Sequence, residues 1–379
     1  MDQKIPIFKI YWDESDIDLV TKVIRRGSYW TLGTETVTFE KMLCEYIGAK
    51  YTAVFNSGTS ALHAALLANK IGPGDEVIVP SFTFIATANA PLFVGATPVF
   101  ADIEKQTCGL DPVDVLKKIN PKTKAILPIH FGGLPCHILE LQKIAIEHNL
   151  LLIEDAAEAF GACIGTQKTG TFGNSSILSF CQNKIITTGE GGAVVTDDKD
   201  VYERLKLVRS HGRLEIADYF ASSVYMDYVT LGYNFRISEI TAALGISQLA
   251  KVEKIISMRR KNAEYLKDKL YEIDQLYVQV IPSNYTHVYQ MFNIRLKDGY
   301  TKREQLIDFL SSKGISSKVN FYPVHLTKFY REQFGHKIGD LPVTEEVSAQ
   351  SVTLPMYPTM TNTELDYIAE QIKEFFRNN

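Results

Sequence analysis

Cysteine is sparse and scattered. The five residues, Cys44, Cys108, Cys136, Cys163 and Cys181, form no CxxC pair. That excludes a disulfide framework and a zinc ribbon, and it points to a reducing compartment, the cytoplasm. None of the eight histidines falls in an HExxH spacing, and Cys136-His137 alone makes no ligand set, so no metal is expected. Charge of one sign is also lacking. A net charge of −4 argues against a broad nucleic-acid-binding face, and the cluster Arg259-Arg260-Lys261 sits in a helix-like stretch of mixed sign. The charged start, MDQKIPIFKIYWDESD, has no apolar signal core. The uncharged run from Val77 to Ala101 is broken by Pro80, Pro91 and Pro98 and carries Ser81, Thr83, Thr87 and Asn89. It reads as a buried strand, a turn, a core helix and a second strand rather than a membrane span. Repeats, low-complexity tracts and disordered linkers are missing too.

What is present is a chain of 379 residues, 45% hydrophobic and 22% charged, as in an ordinary soluble protein of about two to three domains. Short apolar runs alternate with longer helix-like ones over the first two hundred residues. Strands are expected at 52–55, 76–79, 97–101, 124–129, 150–154, 177–180 and 193–196, and helices at 60–70, 84–94, 111–119 and 138–148. Several of these strands are rich in Val, Ile and Leu on both faces, as strands covered by helices on both sides should be. The alternation predicts an α/β fold: a three-layer αβα large domain with a mainly parallel sheet. From Leu249 to Asp274 the pattern reads as one long amphipathic helix. Short strands near 278–281 and 289–295 and helices at 302–313 and 363–377 then suggest a smaller C-terminal α+β domain. The division is placed at 1–250 and 251–379.

Ligands of open α/β sheets gather beyond the carboxyl ends of the strands. After the first strand comes NSGTSALHAAL, small residues opening a helix, whose free N–H groups favour an anion. Ser57, Thr59 and Ser60 add hydroxyls, although Ser and Thr also serve as plain helix caps. Phe84 follows the second strand; it fits either a core residue or a ring that stacks on a planar ligand. EDAAEAFGA follows the strand ending near Ile153. Asp155 would lie in the crevice there, or would cap the next turn. Lys184 lies beyond a further buried strand that carries Ser179. A partly desolvated lysine favours its neutral form and becomes a nucleophile toward a carbonyl. A phosphate cup, a stacking ring, a carboxylate and a lysine on successive strand ends are together the parts needed to hold pyridoxal 5'-phosphate.

These residues, with SYWTLG, PSFTFIAT, SFCQNKIITTGEGGAVVTDD, RSHG, LGYNFRISEITAALG and VTLPMYP, run in order over nearly the whole chain. The set resembles the DegT/DnrJ/EryC1/StrS family of sugar aminotransferases, which have the fold-type I aminotransferase architecture. The resemblance implies that Lys184 joins the cofactor aldehyde and that Asp155 keeps the pyridine nitrogen protonated. It further implies that Phe84 covers one ring face and that Gly58, Thr59, Ser60 and Ser179 hold the phosphate. Asn234 would reach the cofactor phosphate of a neighbouring subunit, which implies a homodimer with shared sites, and His325 would lie near the sugar. Where many members carry His or Gln, this chain has Glu158, which would meet the cofactor's phenolic oxygen only if protonated or bridged.

The resemblance implies transfer of an amino group from an amino acid, L-glutamate, to a nucleotide-linked keto-deoxysugar at C4, for surface polysaccharide or related amino-sugar synthesis. Alternatives are amination at C3, another fold-type I reaction, or a non-catalytic regulatory relative. Relatives with His in place of the lysine act as dehydratases; Lys184 is present here.

Overall fold

The computed structural model describes residues 4–378. The large sheet grows from apolar runs that helices cover on both faces. Its region contains β1 (Tyr51–Phe55), β2 (Glu76–Pro80), β3 (Thr97–Ala101), β4 (Thr123–Ile126), β5 (Leu151–Asp155), β6 (Cys163–Ile164), β7 (Gln167–Lys168), β8 (Ser175–Ser179) and β9 (Gly192–Thr196). Seven of these pair in the order β1-β9-β8-β5-β4-β2-β3. The β2–β3, β2–β4, β4–β5 and β5–β8 pairs are parallel, while β9 runs antiparallel to both β1 and β8. The sheet is therefore mainly parallel. The link 180–191 contains no helix, so the chain turns back after β8 instead of crossing over the sheet.

The uncharged run 77–101 resolves into β2, the helix Ile85–Phe93 and β3. Among the described residues no helix is long and apolar enough to cross a membrane. The long helix expected from 249 to 274 is divided. One helix, Glu239–Ala250, ends; Lys251 leaves helical geometry at φ −115°, ψ 11°; a second, Val252–Leu270, begins. Lys251 Nζ is held 2.7 Å from Asp13 and 2.8 Å from Asp16, so this junction is tied to the first helix, Glu14–Arg26.

Beyond residue 270 the chain adds β10 (Leu276–Val278), β11 (Tyr285–Thr286), β12 (Phe292–Leu296) and β13 (Ser351–Leu354). Strands β10, β12 and β13 make a second, antiparallel sheet, while β11 joins β6 and β7. Leu266, Leu270, Ile294, Leu306, Leu310, Leu354 and Ile368 bury a separate core around the second sheet. Each such side chain contributes about 1.5–3 kcal/mol by leaving water. Ile5 pairs with Ile315 and joins this core, so the start of the described chain packs with its end.

Candidate active site

Three strand ends are drawn together by register. Gly192, the first residue of β9, faces Phe55 on one side and Ser179 on the other. This brings the loop after β1 beside the end of β8. The approach is so close that a Cβ on Gly192 would lie 2.4 Å from the Ser57 carbonyl oxygen, and one on Gly58 would lie 3.0 Å from the Ser179 Cβ. Glycine is required at Gly192 because backbone, which cannot swing aside, fills the space.

The helix Gly58–Ala68 starts at this point. Ser57 caps it: its hydroxyl accepts the Ser60 N–H at 3.0 Å, and the Ser60 hydroxyl accepts the Ser57 N–H at 3.1 Å. Ser60 also donates to Asn56 Oδ1 at 2.7 Å. Its hydroxyl is thus committed to the cap, and Ser60 does not line the cavity, which corrects its place in the expected phosphate cup. The amides of Gly58 and Thr59, at the head of the helix, have no intrahelical acceptor and carry the positive end of its dipole.

A cavity of about 520 Å³ opens in front of these strand ends. Gly58, Thr59, Phe84, Asp155, Glu158, Ser179 and Lys184 all line it. Asp155 ends β5 and is buried. Its Oδ2 accepts from Thr87 at 2.7 Å and its Oδ1 from the Ala157 N–H at 3.1 Å. Burial pushes its pKa up, against the pull of Thr87, Ala157 and the Lys184 charge. Glu158 is buried three residues later, in the turn that follows β5. Its Oε2 accepts the Gly132 N–H at 2.9 Å, and its Oε1 lies 3.6 Å from Lys184 Nζ. Burial pushes Glu158 up too, opposed by the Lys184 charge. Lys184 keeps only 13% of its side chain exposed. Phe84 is 57% exposed and turns an apolar surface to the opening.

Glu154, the other acid at this strand end, points away. It accepts from the Gly170, Phe172 and Gly173 amides at 2.7–2.8 Å and pairs with His130 at 2.9 Å. His130 Nδ1 accepts the Cys136 N–H, so its Nε2 carries the proton donated to Glu154. Alternation along β5 sends one acid into the structure and its neighbour into the cavity.

Two expected positions lie elsewhere. His325 is fully buried and does not line the cavity. Ser81 Oγ accepts the His325 backbone N–H at 3.0 Å and donates to Nδ1 at 2.7 Å, leaving Nε2–H to donate to Glu345 at 3.2 Å. It braces the end of β2 against the helix Pro342–Gln350, and burial lowers its pKa. The expected sugar contact is therefore a structural residue. Asn234 is exposed and outside the cavity of its own chain. Its carbonyl accepts from Asn56 at 3.4 Å, next to the cup.

Sequence reading missed much of the far wall, where Gln290, Met291, Lys318, Asn320, Phe321, Thr353 and Met356 meet the strand ends. The wall is pinned in place. The Met291 and Val288 amides donate to the Gly132 and Gly133 carbonyls at 3.0 Å, and Gly132 in turn holds Glu158. Gln290 Nε2 donates to the Asn183 carbonyl, beside Lys184. Thr87, also missed, has a local signal: it lies three residues after Phe84, on the same side of a starting helix.

The residues fit pyridoxal 5'-phosphate. Asp155 is a buried carboxylate whose direct partners are a hydroxyl and an amide, so a protonated ring nitrogen would supply the cation it lacks. The Gly58 and Thr59 amides with the Thr59 and Ser179 hydroxyls form a cup suited to a phosphate.

The model of the DegT/DnrJ/EryC1/StrS aminotransferase family matches residues 11–373. The chain is 36% identical to GDP-perosamine synthase of Caulobacter vibrioides over 94% of each chain. PseC of Helicobacter pylori, an aminotransferase involved in pseudoaminic acid biosynthesis, superposes with a TM-score of 0.93 at 30% identity over 100% of each chain. DesV of S. venezuelae superposes with a TM-score of 0.90 at 30% identity over 98% of each.

Proposed function

Because the chain belongs to the DegT/DnrJ/EryC1/StrS aminotransferase family, whose aminotransferases depend on pyridoxal phosphate, we propose that it aminates a nucleotide-linked keto-deoxysugar at C4 with L-glutamate as donor. The observation that carries this reading is the convergence of Lys184 and Asp155 on one cavity. GDP-perosamine synthase and PseC among its relatives support a sugar acceptor and a place in polysaccharide or amino-sugar synthesis.

When bound, the cofactor supplies an electron sink for the carbon that carries the amino group. The protein's own residues do the rest. Asp155 holds the proton on the ring nitrogen, and its burial keeps that charge pair out of water. The Gly58 and Thr59 amides and the Ser179 hydroxyl anchor the phosphate, and Phe84 shields one ring face. Lys184 Nζ takes a proton from the donor's α-carbon in the first half-reaction and delivers one to the sugar carbon in the second, as base and then acid. Glu158 faces the Lys184 amine while that amine is free.

We also propose a homodimer in which Asn234 completes the partner's phosphate cup; its exposure beside Asn56 supports this. Division of the chain near residue 250 and a cytoplasmic site of action belong to the same reading.

The test is a Lys184→Ala variant with a panel of nucleotide ketosugars. The wild type should bleach on addition of glutamate and aminate one member of the panel. The variant should lose both the visible absorbance and turnover. Retained amino transfer in the variant would remove Lys184 from its role.

A further inference from the structure

The cavity is rich in acid. Asp155, Glu158 and Glu190 line it, while Lys184 and Lys318 are the cations among its described lining residues. An amino-acid donor must bring a carboxylate into this space, one bond from the reacting carbon. Lys184 already faces Glu158 at 3.6 Å and is the reacting amine. Lys318 is exposed at the cavity and makes no ion pair among the described residues.

Lys318 is firmly rooted. Its amide donates to the Thr353 carbonyl at 3.1 Å and its carbonyl accepts the Thr353 N–H at 2.8 Å, which fixes its backbone to β13. The extended run then alternates: Lys318 and Asn320 line the cavity, while Val319 between them is buried. Asn320 Nδ2 meets only the Met291 sulfur, at 3.2 Å. Sulfur is a weak acceptor, so the amide retains donor capacity for a better one. A cation and an amide donor two residues apart on one face form a pair suited to a carboxylate.

We propose that Lys318, assisted by Asn320, is the clamp for the donor's carboxylate and thereby selects an amino acid in the first half-reaction. The proposal rests on the transaminase reading above. The acceptor's diphosphate is a less suitable occupant, because a sugar ring separates it from the reacting carbon.

Stopped-flow absorbance of the holoenzyme can follow each half-reaction separately. Lys318→Met should lower kcat/KM for L-glutamate by about 10- to 100-fold. It should change the sugar half-reaction by less than about threefold, and Lys318→Arg should restore most of the donor rate. Calorimetry with 2-oxoglutarate supplies a readout independent of turnover: binding should weaken in Lys318→Met, and salt should weaken it more in the wild type than in the variant. Undiminished 2-oxoglutarate binding in Lys318→Met would overturn the proposal. So would an equal loss in both half-reactions, or a larger loss in the sugar half, which would assign Lys318 to the diphosphate. A wild type inert toward every donor would sink the transaminase reading, while the calorimetric comparison would still decide the clamp.

Discussion

Lys184 Nζ lies 3.6 Å from Glu158 Oε1, while the other oxygen of that carboxylate is held by the Gly132 amide at 2.9 Å. One buried acid thus links the reacting lysine to a backbone turn, and that turn carries the far wall through Met291. Acids buried in this way are costly to the protein without its cofactor.

That cost sets a pH dependence. Burial raises the pKa of both Asp155 and Glu158. A raised carboxylate stabilises the fold at low pH, and this contribution is lost as pH climbs through the folded-state value. In cofactor-free protein, Asp155→Asn should therefore raise Tm, and the gain should grow as pH rises above the ordinary carboxylate range and level off once the raised folded-state value is passed. The same variant should lose turnover by orders of magnitude once loaded. A Tm difference that shrinks with rising pH would contradict the assignment.

Gly192 is the seam of the phosphate cup. Its Cβ would meet the Ser57 carbonyl at 2.4 Å. Gly192→Ala should displace the loop after β1, cost about 1–3 kcal/mol, and weaken cofactor binding at least tenfold in an absorbance titration. Gly72→Ala, where a Cβ meets nothing within 4 Å, is the control that should leave binding unchanged.

His325 should behave as a brace. His325→Ala leaves Ser81 and Glu345 without their partner and opens a cavity, a loss of about 2–4 kcal/mol. Thermal unfolding should record this, while KM for the sugar at a permissive temperature stays within about threefold of wild type. A selective rise in KM with an unchanged Tm would return His325 to the substrate.

Shared sites can be tested by mixing. Lys184→Ala and Asn234→Ala chains should each be impaired as homodimers. A hybrid dimer rebuilds one intact site, with lysine from one chain and asparagine from the other. Each hybrid should therefore carry about half the wild-type activity, and an equal mixture at free exchange, about half of it hybrids, should regain about a quarter. No recovery after verified exchange would rule out the shared cup.

The strand ends were legible because their signals are local. An apolar run followed by small residues and a helix start announces an anion site in about ten residues, and Asp155 closes one buried strand while Lys184 lies in the turn after another. Ser60 shows the limit of such reading. Its residue type suits a phosphate, but the capping bond to Ser57 turns its hydroxyl away from the cavity. His325 shows it again, since nothing nearby in the chain announces Ser81, 244 positions earlier.

By itself, then, the amino-acid order determined the alternating α/β framework and the residues that project from its strand ends, because hydrophobic period and turn chemistry act over short spans. Tertiary structure alone decided the opposite wall. Gln290, Lys318, Asn320 and Thr353 reach the cavity only when the second sheet folds back and the segment leading into it, at Val288 and Met291, pairs with Gly133 and Gly132. Contacts between segments more than a hundred residues apart leave no local pattern, and the direction a side chain takes there is set by its packing partners.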